Sequence, residues 1–244
     1  MTHLTGRAGA GQSREHAAKY ASAAAICAAF LSAPAAAAGE TRWTFETTTD
    51  VAAHGSLYVD MSANVAPFRG LSASGARLRV TSSHNRYQVA DKPDGVSRQS
   101  IELLAGYVHV FEKAAFSYGA GPVLTDRQAS VRAFSSDPVV GGKAFLSTYA
   151  QPSNDMMIYA QATYMSVSNS SFAQTKFGWK LTHDLFMGPE ISASSGRDYS
   201  QARFGAHLTG FSFGLINGGV AAGLVHDFKK GNGVFSSLTL RVEI

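Results

Sequence analysis

The chain ends in VFSSLTLRVEI, residues 234–244, where apolar and polar side chains alternate along the segment. One parity carries Val234, Leu238, Leu240, Val242 and Ile244, and the other carries Phe235, Ser237, Thr239, Arg241 and Glu243. A period of two indicates a β-strand with one apolar and one polar face. The same pattern recurs along the chain in segments of about ten residues separated by turn formers, which is typical of a transmembrane β-barrel.

Twelve such segments can be delimited. We predict strands at roughly 43–50, 56–65, 75–87, 98–110, 115–127, 139–151, 156–167, 171–182, 186–195, 200–210, 216–227 and 234–244. The predicted fold is all-β: an antiparallel up-and-down transmembrane β-barrel of about twelve strands, with about ten as the alternative. Longer polar connections are expected at 88–97 and 128–138, on the extracellular side if the short turns are periplasmic. An even number of strands would leave both termini in the periplasm.

The first 38 residues are typical of a cleaved export signal. Arg14 and Lys19 form a basic start, an apolar Ala-rich run follows at 20–31, and small residues lead to an expected cleavage after Ala38. The alternative is an Ala-rich N-terminal helix of a soluble protein. Cys27, the only cysteine, lies inside this segment. The mature chain is therefore expected to be one barrel domain, residues 39–244, exported through the periplasm and free of disulfides.

Composition supports a barrel over a helical membrane protein. Only 16% of the residues are charged, and 24 are glycine, yet the mean hydropathy is −0.03. After the leader, no apolar stretch approaches the roughly 18 residues that a spanning helix needs. Part of the formal charge of +4 lies in the leader, and no basic stripe is interleaved with aromatic residues. We therefore expect no binding to nucleic acid.

Parity assigns the side chains of each predicted strand to lipid or to the barrel interior. Ala202, Phe204 and Leu208 would face lipid, whereas Arg203 and His207 would face inward. Such a distribution is expected because a Lys or Arg facing lipid at mid-membrane costs about 2–4 kcal/mol. The tryptophans Trp43 and Trp179 fall on the lipid side, as in an aromatic girdle. The alternative is a soluble barrel or sandwich whose apolar face points inward.

The inward polar residues are the candidate functional site. They are Asp60, Arg77, Arg79, Glu102, Lys143, Lys176, Lys180, Glu190, Arg203, His207, Arg241 and Glu243. One interpretation is a structural ion network that compensates buried charge; the other is a polar path or binding surface for a glycan or small solutes. The inward rings expected are Tyr58, Tyr149 and Tyr159, with Phe145 and Tyr118 as further candidates. So few rings give little support to a channel for a sugar polymer, and a docking role fits at least as well.

An enzymatic alternative rests on His207 and Thr209. Some outer-membrane barrels deacylate lipid A with a His-x-Ser pair, in which the histidine is the base for the hydroxyl. Threonine is a poorer nucleophile, and parity turns both residues away from lipid, so we predict that the protein is not an enzyme. The remaining histidines are scattered, and no motif indicates a metal or cofactor.

A set of glycine-aromatic motifs carries a family resemblance. In chain order they are GLSASGARLRV at 70–80, NRY at 85–87, LAGY at 104–107, YGAGP at 118–122, FMGPEI at 186–191 and RFGAHLTG at 203–210. In this order they resemble the cellulose biosynthesis protein BcsS family of alphaproteobacteria. The resemblance runs from about residue 55 to the end of the chain, and it implies a location and a pathway rather than a chemistry.

The resemblance and the strand pattern together define the expected function. We expect a monomeric outer-membrane barrel, in contact with outer-membrane lipid, that acts as a non-enzymatic accessory in the synthesis or secretion of cellulose or another exopolysaccharide. Its expected partners are components of cellulose synthesis or export, or the glucan chain itself. The alternatives are a small diffusion pore and, third, a lipid A-modifying enzyme.

Overall fold

The computed structural model describes residues 41–89, 92–128, 138–197 and 199–244, which form a closed barrel of twelve antiparallel strands. The strands are β1 (Trp43–Ala52), β2 (Ser56–Val65), β3 (Gly75–Val89), β4 (Lys92–Phe111), β5 (Ala114–Gln128), β6 (Val139–Ser153), β7 (Met156–Met165), β8 (Ser170–Thr182), β9 (Leu185–Ser195), β10 (Ser200–Phe213), β11 (Ile216–Asp227) and β12 (Gly231–Glu243). Each predicted strand overlaps an observed one, so the twelve-strand fold is confirmed. The predicted signal at 1–38 lies outside the described residues. Among those described, no helix is long and apolar enough to span a membrane.

The barrel is closed by the alternating segment at the end of the chain. β12 pairs with β11 on one side and with β1 on the other, from Thr44 opposite Glu243 to Ala52 opposite Phe235. Trp43 and Ile244 exchange main-chain hydrogen bonds of 2.9 Å in both directions. Closure leaves no strand edge unpaired, which removes the aggregation hazard of an open sheet. Both ends of the barrel chain lie at one mouth, called the terminal end here; the opposite mouth is the distal end.

The expected polar loop at 88–97 is instead a long hairpin. β3 continues to Val89 and β4 begins at Lys92, with Tyr87 opposite Val96. The prediction was wrong because main-chain pairing can continue where side chains no longer alternate between apolar and polar. The second expected loop lies largely outside the described residues, since β5 ends at Gln128 and β6 begins at Val139.

At the terminal end, the connection 66–74 is held by Arg77. Its Nη2 donates to the carbonyl oxygens of Ala73 at 2.7 Å and Leu71 at 3.1 Å, and its Nη1 donates to that of Ala76 at 2.9 Å. Main-chain bonds also join this connection to the chain just before β1, as from Leu71 N to Thr41 O at 2.8 Å. Arg77 therefore organises a connection at one mouth, and it takes no part in the described ion pairs of the interior.

The outer wall of the barrel is apolar, in agreement with the parity argument. Leu103, Phe204 and Leu224 are all more than half exposed, although they are among the most apolar residues of their strands. Trp43 and Trp179 are also exposed on this outer face, near the terminal end. Tyr118, one of the candidate inward rings, lies outside as well, where its ring is 6.0 Å from that of His109.

A bulge in β10 redirects two phenylalanines. The pairing with β11 is regular as far as Thr209 opposite Gly219, and then shifts so that Phe211 lies opposite Gly218. The extra residue is Gly210, with φ of +94°. An inserted residue reverses the parity of the rest of the strand. Phe211 and Phe213 are consequently on the outer face, with their ring centroids 6.2 Å apart.

Replacing Gly210 by alanine is expected to destabilise the barrel by more than the roughly 1–2 kcal/mol that a left-handed non-glycine residue costs. A Cβ there would stand 1.9 Å from the carbonyl oxygen of Asp184. Gly231→Ala is the matched control, since Gly231 has φ of +90° and nothing within 4 Å of the added Cβ. Urea unfolding of the two purified variants measures the difference. Equal losses would show that the contact with the Asp184 carbonyl is not responsible.

Candidate functional site: the barrel interior

The barrel encloses a polar cavity of about 350 Å³. Its lining comes from the middle of the barrel and from the distal half, and most of the side chains are hydroxyls, amides or charged groups. The volume lies at the lower end of the range of roughly 300–1,000 Å³ found for small-molecule sites. The lining is polar because side chains alternate along each strand, and the polar member of each alternating pair faces the interior.

The most buried ion pair joins Glu102 in β4 to Lys143 in β6. The Lys143 Nζ lies 2.9 Å and 2.8 Å from the two carboxylate oxygens, and the Glu102 side chain is only 2% exposed. The intervening strand β5 places Gly121 opposite Lys143. Because glycine has no side chain, the inner face of β5 is open at this position and the lysine can reach across it.

A second pair lies across β8 and β9. Lys176 and Glu190 are direct cross-strand neighbours, with Nζ and Oε2 3.2 Å apart. The other carboxylate oxygen accepts from Gln174 Nε2 at 2.8 Å, and Gln174 Oε1 in turn accepts from Gln161 Nε2 at 2.9 Å. This hydrogen-bonded row extends the pair along three strands and compensates the buried carboxylate.

The third pair crosses the interior from β10 to β1. Arg203 Nη1 donates to Asp50 Oδ2 at 2.6 Å, past the two strands β11 and β12. The guanidinium carbon lies 5.2 Å from the centroid of the Phe235 ring, which supports it by a cation–π contact. Asp50 has inward parity, but its partner lies on a strand far away in sequence, so no pattern identified the pair.

The remaining predicted polar residues are placed separately. Arg79 Nη2 donates to Ser62 Oγ at 3.2 Å and lies 3.8 Å from Glu46. Asp60 lines the cavity, and its Oδ1 has no hydrogen-bond partner among the described residues. Arg241 pairs with Glu243 at 2.9 Å, where both are well exposed. Lys180 is exposed and makes no ion pair within the described part of the chain.

The rings that line the cavity are only partly those expected, since Tyr149 and Tyr159 are not among its lining residues. Tyr58 and Phe145 line it as expected, and Tyr87, Phe172 and Tyr199 line it as well. Tyr199 directly precedes β10, and its ring centroid lies 5.8 Å from that of Tyr87 in β3, so the two rings meet across the distal mouth. The Phe145 ring lies on the wall: its Cε1 would be 2.6 Å from a Cβ added at Gly119.

His207 is part of the packed wall. The side chain is 2% exposed, and it meets Met157 and Phe186 over Gly178. Its Nε2 is 3.0 Å from the carbonyl oxygen of Phe177, and its Nδ1 is 2.9 Å from Thr209 Oγ1. Because a carbonyl only accepts, Nε2 carries the hydrogen, and in the neutral ring Nδ1 accepts from the threonine hydroxyl. This is the hydrogen-bond direction of a base and a hydroxyl nucleophile, but both ring nitrogens are occupied within a buried contact.

The described residues do not form a metal-binding site. Within residues 41–89, 92–128, 138–197 and 199–244, no group of three His, Cys, Asp or Glu side chains is placed to hold an ion. That the protein needs no metal or cofactor stays a prediction.

Several solved structures are similar to this chain at very low sequence identity. The KdgM porin aligns with a TM-score of 0.51 at 10% identity, over 82% of this chain and 98% of that one. The translocator domain of the autotransporter NalP from Neisseria meningitidis reaches 0.44 at 13% identity, over 94% and 97%. The outer membrane channel DcaP of Acinetobacter baumannii reaches 0.37 at 9% identity, over 84% and 96%. The likeness to KdgM supports the fold alone.

Sequence comparison identifies the family. No curated protein matches the chain. The model of the cellulose biosynthesis protein BcsS family matches residues 44–244, which include all of the twelve strands except Trp43, the first residue of β1. Since that match spans the whole barrel, including the strand that closes it, the chain belongs to the BcsS family of cellulose biosynthesis proteins.

Proposed function

We propose that this protein is an outer-membrane accessory of bacterial cellulose or exopolysaccharide synthesis or secretion, and that it performs no chemistry itself. It is exported through the periplasm, inserts as a monomer with its apolar wall in outer-membrane lipid, and cooperates with components of glucan synthesis or export, or with the glucan itself. The family supports the association with cellulose, and the resemblance of the barrel to outer-membrane proteins supports the location.

One observation favours an accessory over a conduit: side chains cross the interior. The Arg203–Asp50 ion pair joins β10 to β1, which are three strands apart around the barrel. The contact between Tyr87 and Tyr199 crosses the distal mouth. A threaded glucan chain would have to displace both. Breaking the Arg203 pair would also leave a partly buried charge uncompensated, at a cost of several kcal/mol (about 3–5).

The polar cavity favours a second candidate, a small diffusion pore. Its lining of hydroxyls, amides and charges suits water and small hydrophilic solutes, and KdgM is itself a porin. The purified barrel in planar lipid bilayers would then produce stepwise conductance increases, whereas an accessory with a crossed interior would not.

The accessory role is tested by deleting the gene in its own host. Cellulose is scored by dye binding, and the protein is followed in outer-membrane fractions of the complemented strain. We expect cellulose to be lost or mislocalised and to be restored by the intact gene. Unchanged cellulose, with the protein present in the outer membrane of the parent, would overturn the accessory role.

A further inference from the structure

The cavity carries more positive than negative charge. Six of its lining residues are Lys or Arg and four are Asp or Glu. Three of the carboxylates are neutralised in the pairs with Lys143, Lys176 and Arg203. Two cations, Arg98 and Lys230, make no ion pair within the described part of the chain. The unpaired charge in the cavity is therefore mainly positive, and it favours an anion.

Both unpaired cations lie beside the distal end of β3. Arg98 in β4 is opposite Asn85, and its Nε is buried without a hydrogen-bond partner among the described residues. Lys230, in the connection between β11 and β12, donates from Nζ to the main-chain oxygen of Gln88. Asp227 stabilises this connection, because its Oδ1 accepts a hydrogen bond from the main-chain N of Lys230 at 3.1 Å. Both cations therefore lie beside the part of β3 that carries Tyr87.

Aromatic side chains line the same cavity as these cations. Tyr87 and Tyr199 meet at the distal mouth, and Phe145 and Phe172 line the cavity further in. The apolar C–H faces of a pyranose ring pack on such rings, while its hydroxyls need hydrogen bonds. Rings together with a few convergent polar groups are the usual composition of a specific small-molecule site.

Unsatisfied hydrogen-bonding groups lie deeper in the same cavity. Thr81 is 3% exposed, and its Oγ1 has no partner among the described residues; the same holds for Asp60 Oδ1 on the neighbouring strand. A buried polar group left without a partner costs about 1–3 kcal/mol. Both residues line the cavity. The carboxylate of Asp60 can accept hydrogen bonds from the hydroxyls of a sugar, and the hydroxyl of Thr81 can accept or donate them.

We propose that the distal half of the interior binds an acidic saccharide, a short sugar chain that carries a carboxylate or phosphate group. Arg98 and Lys230 hold the acid group, Tyr87 and Phe172 contact the ring faces, and Asp60 and Thr81 bind hydroxyls at greater depth. A neutral glucan would leave both cations uncompensated, so this ligand goes beyond the proposed role in cellulose assembly. The site stands on its own whether or not that role holds.

The site is tested by calorimetric titration of the full-length mature barrel, folded in detergent. Three probes are compared: glucuronosyl-β-1,4-glucose, the neutral disaccharide cellobiose, and inorganic phosphate. We expect the acidic disaccharide to bind at least about tenfold more tightly than either other probe, and its affinity to fall as NaCl is raised. If cellobiose binds as tightly as the acidic disaccharide, Arg98 and Lys230 do not contribute to binding. Equal affinity for phosphate would show that the sugar is not recognised. If none of the three probes binds, the proposed site does not exist.

Two neighbouring lysines provide the matched variants. Lys230→Gln removes a lining cation, whereas Lys229→Gln makes the same change at an exposed position of the same turn. We expect Lys230→Gln, and likewise Arg98→Gln, to weaken the acidic disaccharide about tenfold and to leave cellobiose unaffected. Lys229→Gln should change neither. Retention of the compact band in unheated gel samples shows that each variant is folded. A folded Lys230→Gln variant that binds like Lys229→Gln would contradict the proposal.

Discussion

Replacement of Glu102 by leucine is expected to lower the free energy of unfolding by about 3–5 kcal/mol. The carboxylate is almost completely buried, and both of its oxygens are bound by the Lys143 ammonium. Without it, the lysine charge stays in the interior with its closest anion removed. The measurement is equilibrium urea unfolding of the purified barrel in lipid vesicles.

Two controls separate the lost charge partner from a general effect of mutation. The double variant Glu102→Leu with Lys143→Met removes both charges, so it should recover most of the stability. Glu243→Ala breaks the rim pair with Arg241, in which the glutamate is 43% exposed, so it should cost about 1 kcal/mol or less. If Glu102→Leu costs no more than Glu243→Ala, the buried pair is not a stabilising feature of the interior.

Replacement of Leu238 by lysine is expected to cost about 2–4 kcal/mol, because it places a charge in lipid near the middle of β12. Leu238 is 40% exposed on the outer wall, opposite Thr49 and Val220. The measurement is the same vesicle unfolding experiment.

The neighbouring residue supplies the matched control. Thr239→Lys adds the same charge to a side chain that lines the cavity, so it should be clearly less costly than Leu238→Lys. A barrel surrounded by water would tolerate the outer lysine, since exposed substitutions there change stability by only about 0.5 kcal/mol. A nearly neutral Leu238→Lys variant would therefore contradict the placement of this wall in a membrane.

Local alternation was sufficient to predict the strands of this barrel. The segment 234–244 indicated a two-faced strand, and β12 occupies Gly231–Glu243 with Phe235, Ser237 and Thr239 facing inward. Alternation failed to predict the strand residues within 88–97. Strands pair there through their main chains, and main-chain pairing does not require side chains that alternate between apolar and polar. It also misplaced Tyr118, one of the candidate inward rings.

The composition of the interior was predictable, but its pairings were not. Parity places Lys176 and Glu190 inward, and their contact follows only once the register of β8 against β9 is known. Glu102 reaches Lys143 across a whole strand because that strand has a glycine there. Tyr87 and Tyr199 meet across the distal mouth, although they are more than a hundred residues apart in the chain.

The sequence by itself determined the face of most strand side chains, because successive side chains of a strand point to opposite sides. The structure was needed where a bulge reverses that order, as it does for Phe211 after Gly210. Only the tertiary structure decided which interior charges neutralise each other and which, like Arg98 and Lys230, form no ion pair with the residues that the structure describes. The physical reason is that electrostatic interaction depends on distance through space, and closure of the barrel sets those distances between strands far apart in the chain.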